Sequence, residues 1–228
     1  MSNSPGPGAD DARAQLRALC GRGLDWGVDP ARMAPDPGQR PAAVLVLFGR
    51  LDDDPARAAT PAVARDLDVL LQRRAATLGH HAGQVSFPGG RAEPGDSGPA
   101  HTALREAVEE VGLDASGVEV LGTLPPLPLP VSHHVVTPVP AWWARPSQVA
   151  AVDHAETVDV FRLPVADLLD PARRGSVEHV RGGRTVRTPA FAVRDDLLVW
   201  GFTAIVLARI FDTLGWSVPW DTRRALQP

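Results

Sequence analysis

A cluster of carboxylates near the middle of the chain is the clearest chemical feature of the sequence. Glu106, Glu109 and Glu110 fall within the stretch LREAVEEVGL, residues 104–113. Residues three and four apart share one face of a helix, where each solvated like-charged pair costs about 0.2–0.5 kcal/mol. A divalent cation would reverse the sign of that cost, because Mg²⁺ prefers carboxylate oxygens together with substrate phosphates. The spacing therefore indicates a metal site.

The alternative is a solvated acidic helix face, which is the common role of such clusters and makes the pattern alone weak. Two neighbouring features favour the metal. Arg105 adjoins the cluster and could hold a carboxylate by a bidentate contact. The loop FPGG, residues 87–90, comes before the helix, and glycine permits close approach of the backbone to a ligand. A strand, a glycine-rich loop and an acidic helix predict a cradle for a diphosphate and a metal ion.

The elements around this site predict a mixed sheet with few helices, one central and one terminal. Apolar runs and alternating patterns of strand length indicate strands at 42–48, 67–74, 84–87, 118–125, 135–143 and 156–164. A hairpin is predicted over 176–192, around Gly182–Gly183. Helical patterns cover 10–20, 100–112, 165–170 and 200–214. Gly112 is placed to end the central helix.

The start of the chain differs in composition from the rest. Residues 1–9 are polar and rich in glycine and proline, and residues 27–41 contain four prolines. We therefore expect a flexible N-terminal segment with one short helix over 1–38. Residues 39–228 are expected to form one packed domain.

Composition argues against several other classes of protein. The net charge is −4 and no basic stripe is present, so we expect no nucleic-acid partner. Cys20 is the only cysteine, and the first residues lack the pattern of a signal peptide. The longest apolar run, 197–208, is shorter than the ~20 residues that span a bilayer. We expect a cytoplasmic protein without membrane contact. The terminal helix and the exposed-looking Trp216 and Trp220 suggest a homodimer.

Residues 90–113, GRAEPGDSGPAHTALREAVEEVGL, resemble the Nudix box, Gly-x5-Glu-x7-Arg-Glu-U-x-Glu-Glu-x-Gly-U, where U is a bulky apolar residue. The second half of the box matches at Arg105, Glu106, Glu109, Glu110, Gly112 and Leu113. The first half differs, because Asp96 stands where glutamate is usual, one residue further from Arg105 than the pattern requires. This expansion is similar to the coenzyme A pyrophosphatase subgroup.

The segment before the box extends the resemblance. Residues 70–90, LLQRRAATLGHHAGQVSFPGG, are similar to the signature of that subgroup. The matching positions are Leu70, Leu71, Arg74, Ala75, Gly83, Phe87, Pro88, Gly89 and Gly90. Gln72 stands where threonine is usual, and Gly79 stands where arginine is usual. The matching region as a whole covers residues 40–215, approximately.

The resemblance implies a Nudix α/β/α sandwich with a mixed β-sheet and metal-dependent hydrolysis of a nucleoside diphosphate derivative. For coenzyme A, the products would be 3′,5′-ADP and 4′-phosphopantetheine. The departure at Gly79 keeps other substrates open, such as ADP-ribose, a dinucleotide or a nucleoside triphosphate. A catalytically silent Nudix fold that senses a ligand is a third hypothesis, and the intact acidic cluster argues against it.

The resemblance also implies roles for individual residues. Glu106, Glu109 and Glu110 would bind Mg²⁺ or Mn²⁺, and Arg105 would orient Glu106. The general base would be a glutamate of the box, such as Glu109, or a carboxylate from a later loop.

Glu156 is the best later candidate for the base, and its alternative role is a charge at a strand edge. Arg74, Gln84, Gly89 and Gly90 would contact the substrate, although Arg74 could equally be a surface residue at the end of a strand.

Overall fold

The computed structural model describes residues 9–27, 38–51, 66–75, 83–129, 132–155, 157–181, 184–194 and 197–228. The helices are α1 (Ala9–Arg22), α2 (Pro99–Val111), α3 (Val165–Leu169) and α4 (Gly201–Thr213). The strands are β1 (Arg40–Arg50), β2 (Leu67–Arg74), β3 (Val85–Ser86), β4 (Gly89–Arg91), β5 (Val118–Val120), β6 (Leu127–Leu129), β7 (His134–Trp143), β8 (Thr157–Pro164), β9 (Arg174–Arg181), β10 (Arg184–Arg194) and β11 (Leu197–Val199).

Eight of these strands form one mixed sheet. Its central order is β3-β2-β1-β7-β5, with β4 paired to β1, β6 to β7 and β8 to β2. β1 and β7 are parallel, with Arg40 opposite His134 and Phe48 opposite Trp142. The other pairs in this sheet are antiparallel. A separate three-stranded antiparallel sheet has the order β11-β10-β9.

Helices cover both faces of the large sheet. Successive side chains of a strand point to opposite faces, and β1 shows this alternation clearly. Its residues Leu45 and Leu47 pack in one core cluster with Ala103 and Ala107 of α2. The alternate β1 residues pack in a second cluster with buried residues of α1, α3 and α4. The predicted α/β fold with a mixed sheet between helices is therefore confirmed.

The central helix forms where its composition predicted. α2 begins at Pro99 and ends before Gly112, whose φ of 65° and ψ of 29° are left-handed. The N–H of Gly112 bonds to the carbonyls of Ala107 and Val108, which satisfies groups that the helix end would leave free. α2 buries Ala103 and Ala107 and carries its charged residues toward β4.

Three short strands, β4, β6 and β11, are not apparent from the sequence. β4 is Gly-Gly-Arg and β6 is Leu-Pro-Leu, and both glycine and proline are depleted in strands. They form because neighbouring long strands offer free edges. The strand predicted over 118–125 is wrong beyond β5, since residues 121–126 have no regular structure. Gly201, with a φ of 66°, separates β11 from α4.

The N-terminal helix is part of the core, so the expectation of a flexible segment is wrong for residues 9–27. Ala12, Leu16 and Leu19 form one face of α1 and are fully buried. Further along, the indole N–H of Trp26 donates to the carbonyl of Pro125 at 3.0 Å. The apolar spacing of the helix produces this result, because such a face packs best against the sheet.

The C-terminal tryptophan that looked exposed is buried. Trp216 is 2% exposed, and its indole N–H donates to Oε1 of Gln15 at 2.7 Å. Its ring also contacts the rings of Phe48 and Phe211. Trp216 therefore offers no dimer surface. No helix in the described part of the chain has the length and apolar character needed to cross a membrane.

Replacing a buried residue of α1 tests whether the helix belongs to the folding unit. We expect Leu16→Ala to lower the free energy of unfolding by about 2–5 kcal/mol, because a cavity would form in the core. The exposed change Ala18→Ser should alter it by less than about 0.5 kcal/mol. Urea unfolding followed by tryptophan fluorescence measures both. Equal stability of the two variants would show that α1 is only loosely attached.

Candidate active site

The loop FPGG lies between two diverging strands. β3 is antiparallel to β2, β4 is antiparallel to β1, and β1 and β2 are antiparallel to each other. The chain must therefore reverse direction between Ser86 and Gly89. At the reversal, the N–H of Leu45 donates to the carbonyl of Pro88 at 2.8 Å. This contact ties the loop to the middle of β1.

Both glycines of the loop sit where a side chain would not fit. A Cβ on Gly89 would lie 2.4 Å from the carbonyl oxygen of Ala43, and the φ of Gly89 is 152°. A Cβ on Gly90 would lie 2.5 Å from the carboxylate of Glu106. Glycine is therefore required for the loop to lie directly against β1 on one side and α2 on the other.

Glu110 is the most buried carboxylate of the cluster. Its side chain is 9% exposed, and its Oε2 accepts hydrogen bonds from the N–H of Gly89 and from Nε2 of Gln72, both at 2.8 Å. Its Oε1 lies 4.0 Å from the guanidinium of Arg74. Burial raises the pKa of Glu110 to about 7, although these donors and Arg74 act in the opposite direction.

Arg105 holds the other two glutamates. Its guanidinium lies 3.1 Å from Oε1 of Glu106 and 3.0 Å from Oε2 of Glu109, and it donates to the carbonyl of Arg91 at 2.9 Å. Burial raises the pKa of Glu106, and the charge of Arg105 opposes that shift. The side chain of Glu109 is 56% exposed. The predicted contact between Arg105 and Glu106 is therefore present.

Asp96 anchors Arg105. Arg105 donates to the two carboxylate oxygens of Asp96 at 3.2 and 3.1 Å, and the Thr102 hydroxyl donates at 2.9 Å. These bonds, the one from Arg105 first, hold the pKa of Asp96 well below its ordinary value. The N–H of Glu93 and the ring of His101 complete its contacts. Asp96 joins the loop to α2 through Arg105, which the sequence left open between a supporting residue and a turn residue.

The predicted substrate residues lie on neighbouring strands. The N–H of Arg74 donates to the carbonyl of Gln84 at 3.0 Å, so the two residues are paired at the end of β2. The side chain of Arg74 is 29% exposed and points toward Glu110. Glu156, the predicted later base, and Gly79 lie outside the described residues.

Two residues of the site were missed by the sequence analysis. Gln72 is fully buried and joins Glu110 to Thr157, whose hydroxyl donates to Oε1 of Gln72 at 3.1 Å. A glutamine within the otherwise apolar run of β2 was the available signal, because buried polar groups require partners. In addition, the Ser86 hydroxyl, opposite Gln72, is buried without a hydrogen-bond partner among the described residues.

The donor set suits a divalent cation at two of the three glutamates. Glu106 and Glu110 both lie against the loop of Gly89 and Gly90, and the charge of each opposes ionisation of its acidic neighbours. Mg²⁺ takes one or two carboxylates and completes its shell with water and phosphate. Within the described ranges, no three His, Cys, Asp or Glu side chains form a ready-made metal cluster. Glu109 as a third ligand stays a prediction.

Comparison with known proteins identifies the class of enzyme. Residues 55–181 match the NUDIX domain family. The chain is 38% identical over 143 residues to "Uncharacterized Nudix hydrolase NudL" of Yersinia pestis (strain Pestoides F), covering 62% of this chain and 70% of the relative. The chain therefore belongs to the Nudix hydrolases, which act on phosphorus-containing anhydrides and generally use divalent metal ions.

Solved structures show more distant similarity. The Nudix hydrolase RenU of M. smegmatis has a TM-score of 0.45 at 20% identity, with 80% of this chain and 90% of that chain covered. A MutT/nudix family protein of Enterococcus faecalis has a TM-score of 0.48 at 15% identity, with 89% and 74% covered.

Alanine substitutions in the loop test the close contacts of its two glycines. Gly89→Ala should destabilise the protein by about 3 kcal/mol or more, because the new Cβ meets the backbone of β1. Gly90→Ala should destabilise less, since the end of Glu106 can rotate away. Gly95→Ala, which meets nothing within 4 Å, is the control. Thermal unfolding of the three variants gives the order, and a Gly89→Ala protein as stable as Gly95→Ala would contradict it.

The raised pKa of Glu110 predicts how stability depends on pH. The folded protein retains a proton on Glu110 from its ordinary value of 4.5 up to about 7, whereas the unfolded chain releases it. Without metal, the free energy of unfolding should therefore fall as pH rises through this window, by on the order of 3 kcal/mol.

Urea unfolding in a chelating buffer measures this slope. Glu110→Gln should flatten it, because the variant has no proton to release at that position. The exposed Glu178→Gln should keep the slope of the wild type. A slope that survives Glu110→Gln unchanged would assign the proton to another group.

Proposed function

We propose that this Nudix hydrolase cleaves the diphosphate bond of coenzyme A or its acyl derivatives in the presence of Mg²⁺ or Mn²⁺. The products are 3′,5′-ADP and (acyl-)4′-phosphopantetheine. The observation that carries the proposal is the position of the segment resembling the coenzyme A pyrophosphatase signature. That segment supplies Arg74 and Gly89, and both lie beside Glu110.

The reaction requires water to attack phosphorus while the bond to the bridging oxygen breaks and the leaving phosphate takes up negative charge. A bound metal ion neutralises charge on the diphosphate. Glu106 and Glu110 are the residues that would hold it. Arg74 is partly exposed, with its guanidinium 4.0 Å from Oε1 of Glu110, so it can also bind a phosphate oxygen.

Arg105, Glu106, Glu109 and Glu156 are the proposed catalytic residues. Arg105 keeps the carboxylates of Glu106 and Glu109 apart by donating to both. The base that accepts the proton of the attacking water is Glu109 or Glu156. Glu109 is the more exposed of the glutamates that Arg105 holds, which makes it accessible to water.

The same chemistry on another nucleoside diphosphate derivative is the second candidate. Gly79 stands where the subgroup usually has arginine, so one positive charge for a polyanionic substrate is missing. ADP-ribose, a dinucleotide or a nucleoside triphosphate would each need fewer charges to be neutralised beyond the diphosphate.

Hydrolysis of coenzyme A tests the proposal. Purified protein with coenzyme A and Mg²⁺ or Mn²⁺ should release 3′,5′-ADP, measured by chromatography. Glu110→Gln should reduce the rate by more than about 100-fold, because it changes a proposed ligand and not only its surroundings. Glu178→Gln makes the same chemical change at an exposed residue of β9 and should keep the wild-type rate.

Intact coenzyme A together with hydrolysis of ADP-ribose or a dinucleotide would reject the first substrate and retain the chemistry. Equal rates for Glu110→Gln and the wild type would contradict the proposed role of the glutamate cluster.

A further inference from the structure

Gln72 is a fully buried amide that contacts Glu110 and no solvent. Its Nε2 lies 2.8 Å from Oε2 of Glu110, and its Oε1 lies 3.1 Å from the hydroxyl of Thr157. Thr157 is itself 2% exposed. The three side chains form a chain of hydrogen bonds that begins on β8, crosses β2 and ends on α2.

The chemistry of these groups determines the direction of every bond. An ionised carboxylate only accepts hydrogen bonds, so Gln72 must turn its NH₂ group toward Glu110. That orientation leaves the carbonyl oxygen of Gln72 facing Thr157, whose hydroxyl must then donate. Thr157 therefore prevents the amide from turning over, since the reversed amide would set two acceptors against each other at Glu110.

A β-bulge places Thr157 on the correct face of the sheet. Gln72 pairs with Val160 and Arg73 with Asp159, but Arg74 pairs with Thr157, so Val158 is an extra residue. Without this bulge, Thr157 would point away from Gln72, because alternate residues of a strand face opposite ways. Bulges commonly re-aim a side chain beside an active site.

We infer that Gln72, oriented by Thr157, is a positioning residue that sets which oxygen of Glu110 is available to a metal ion. The N–H of Gly89 and the amide of Gln72 both donate to Oε2 and hold the carboxylate in one rotation. Oε1 is left as the atom that can bind the cation, beside Arg74. This inference depends on the metal role of Glu110 in the proposed function.

A purely structural role is the competing explanation, because a buried glutamine must have partners wherever it lies. The two explanations differ in what happens to metal binding. Loss of a structural hydrogen bond lowers stability and leaves the metal affinity of the folded protein unchanged. Loss of positioning lowers the affinity itself, as is usual for groups that orient a metal ligand.

Binding of Mn²⁺ in the absence of substrate separates the two, measured by calorimetry on folded protein. Gln72→Met keeps the length of the side chain and removes the donor, and should weaken Mn²⁺ binding by about 10–100-fold. Thr157→Val removes the orienting hydroxyl at nearly constant volume and should weaken binding in the same direction. Thr157→Ser keeps the hydroxyl and should bind as the wild type does.

Thr203→Val is the matched control for Thr157→Val. Thr203 is also buried, and its hydroxyl donates to the carbonyl of Val85 at 3.0 Å. This variant should lose stability and keep its Mn²⁺ affinity. Wild-type affinity in folded Gln72→Met, or equal affinities for Thr157→Val and Thr203→Val, would overturn the inference.

Two further outcomes are decisive. If Gln72→Met does not fold, the comparison of Thr157→Val with Thr157→Ser decides alone. Wild-type protein that binds Mn²⁺ and leaves coenzyme A intact would reject the proposed substrate, and the variants would still decide the role of Gln72. Wild-type protein that binds no Mn²⁺ would overturn this role together with the metal site.

Discussion

The contact between the backbone of Gly89 and β1 determines the geometry of the site. Gly89 lies so close to Ala43 and Val44 that even a methyl group would overlap their backbone. This approach turns the N–H of Gly89 toward α2, where it meets Glu110. The buried residues of α2 pack against the same strand, so one strand supports both the loop and the helix. The acidic cluster is therefore held against a backbone that cannot easily move.

The glutamates of α2 occupy unequal electrostatic environments. Arg105 lies beside Glu106 and Glu109 and is anchored by Asp96, whereas Glu110 is bound mainly by neutral N–H donors. Burial without a close cation is the reason that the pKa of Glu110 is raised. A metal ion would supply the missing positive charge, and the phosphates of a substrate would complete its coordination.

Local signals predicted the elements that carry the site, and long-range contacts were beyond them. α2 and its end at Gly112 follow from helix-forming residues and a glycine, and β2 from its apolar run. The bond from Gln72 to Glu110 joins residues 38 positions apart, and no local pattern reports it. The bulge at Val158 is equally hidden, because it depends on the register of β8 against β2. Trp216 looked exposed for the same reason, since its partner Gln15 lies on α1, 201 positions away.

The central claim is that Glu106 and Glu110 bind a metal ion beside the loop of Gly89 and Gly90. Anomalous X-ray scattering from crystals soaked in Mn²⁺ tests it most directly, because the signal locates the metal without assumptions about the substrate. The account predicts a peak within bonding distance of Oε1 of Glu110 and of the Glu106 carboxylate. A peak elsewhere in the molecule, or none in crystals that are fully soaked, would contradict it.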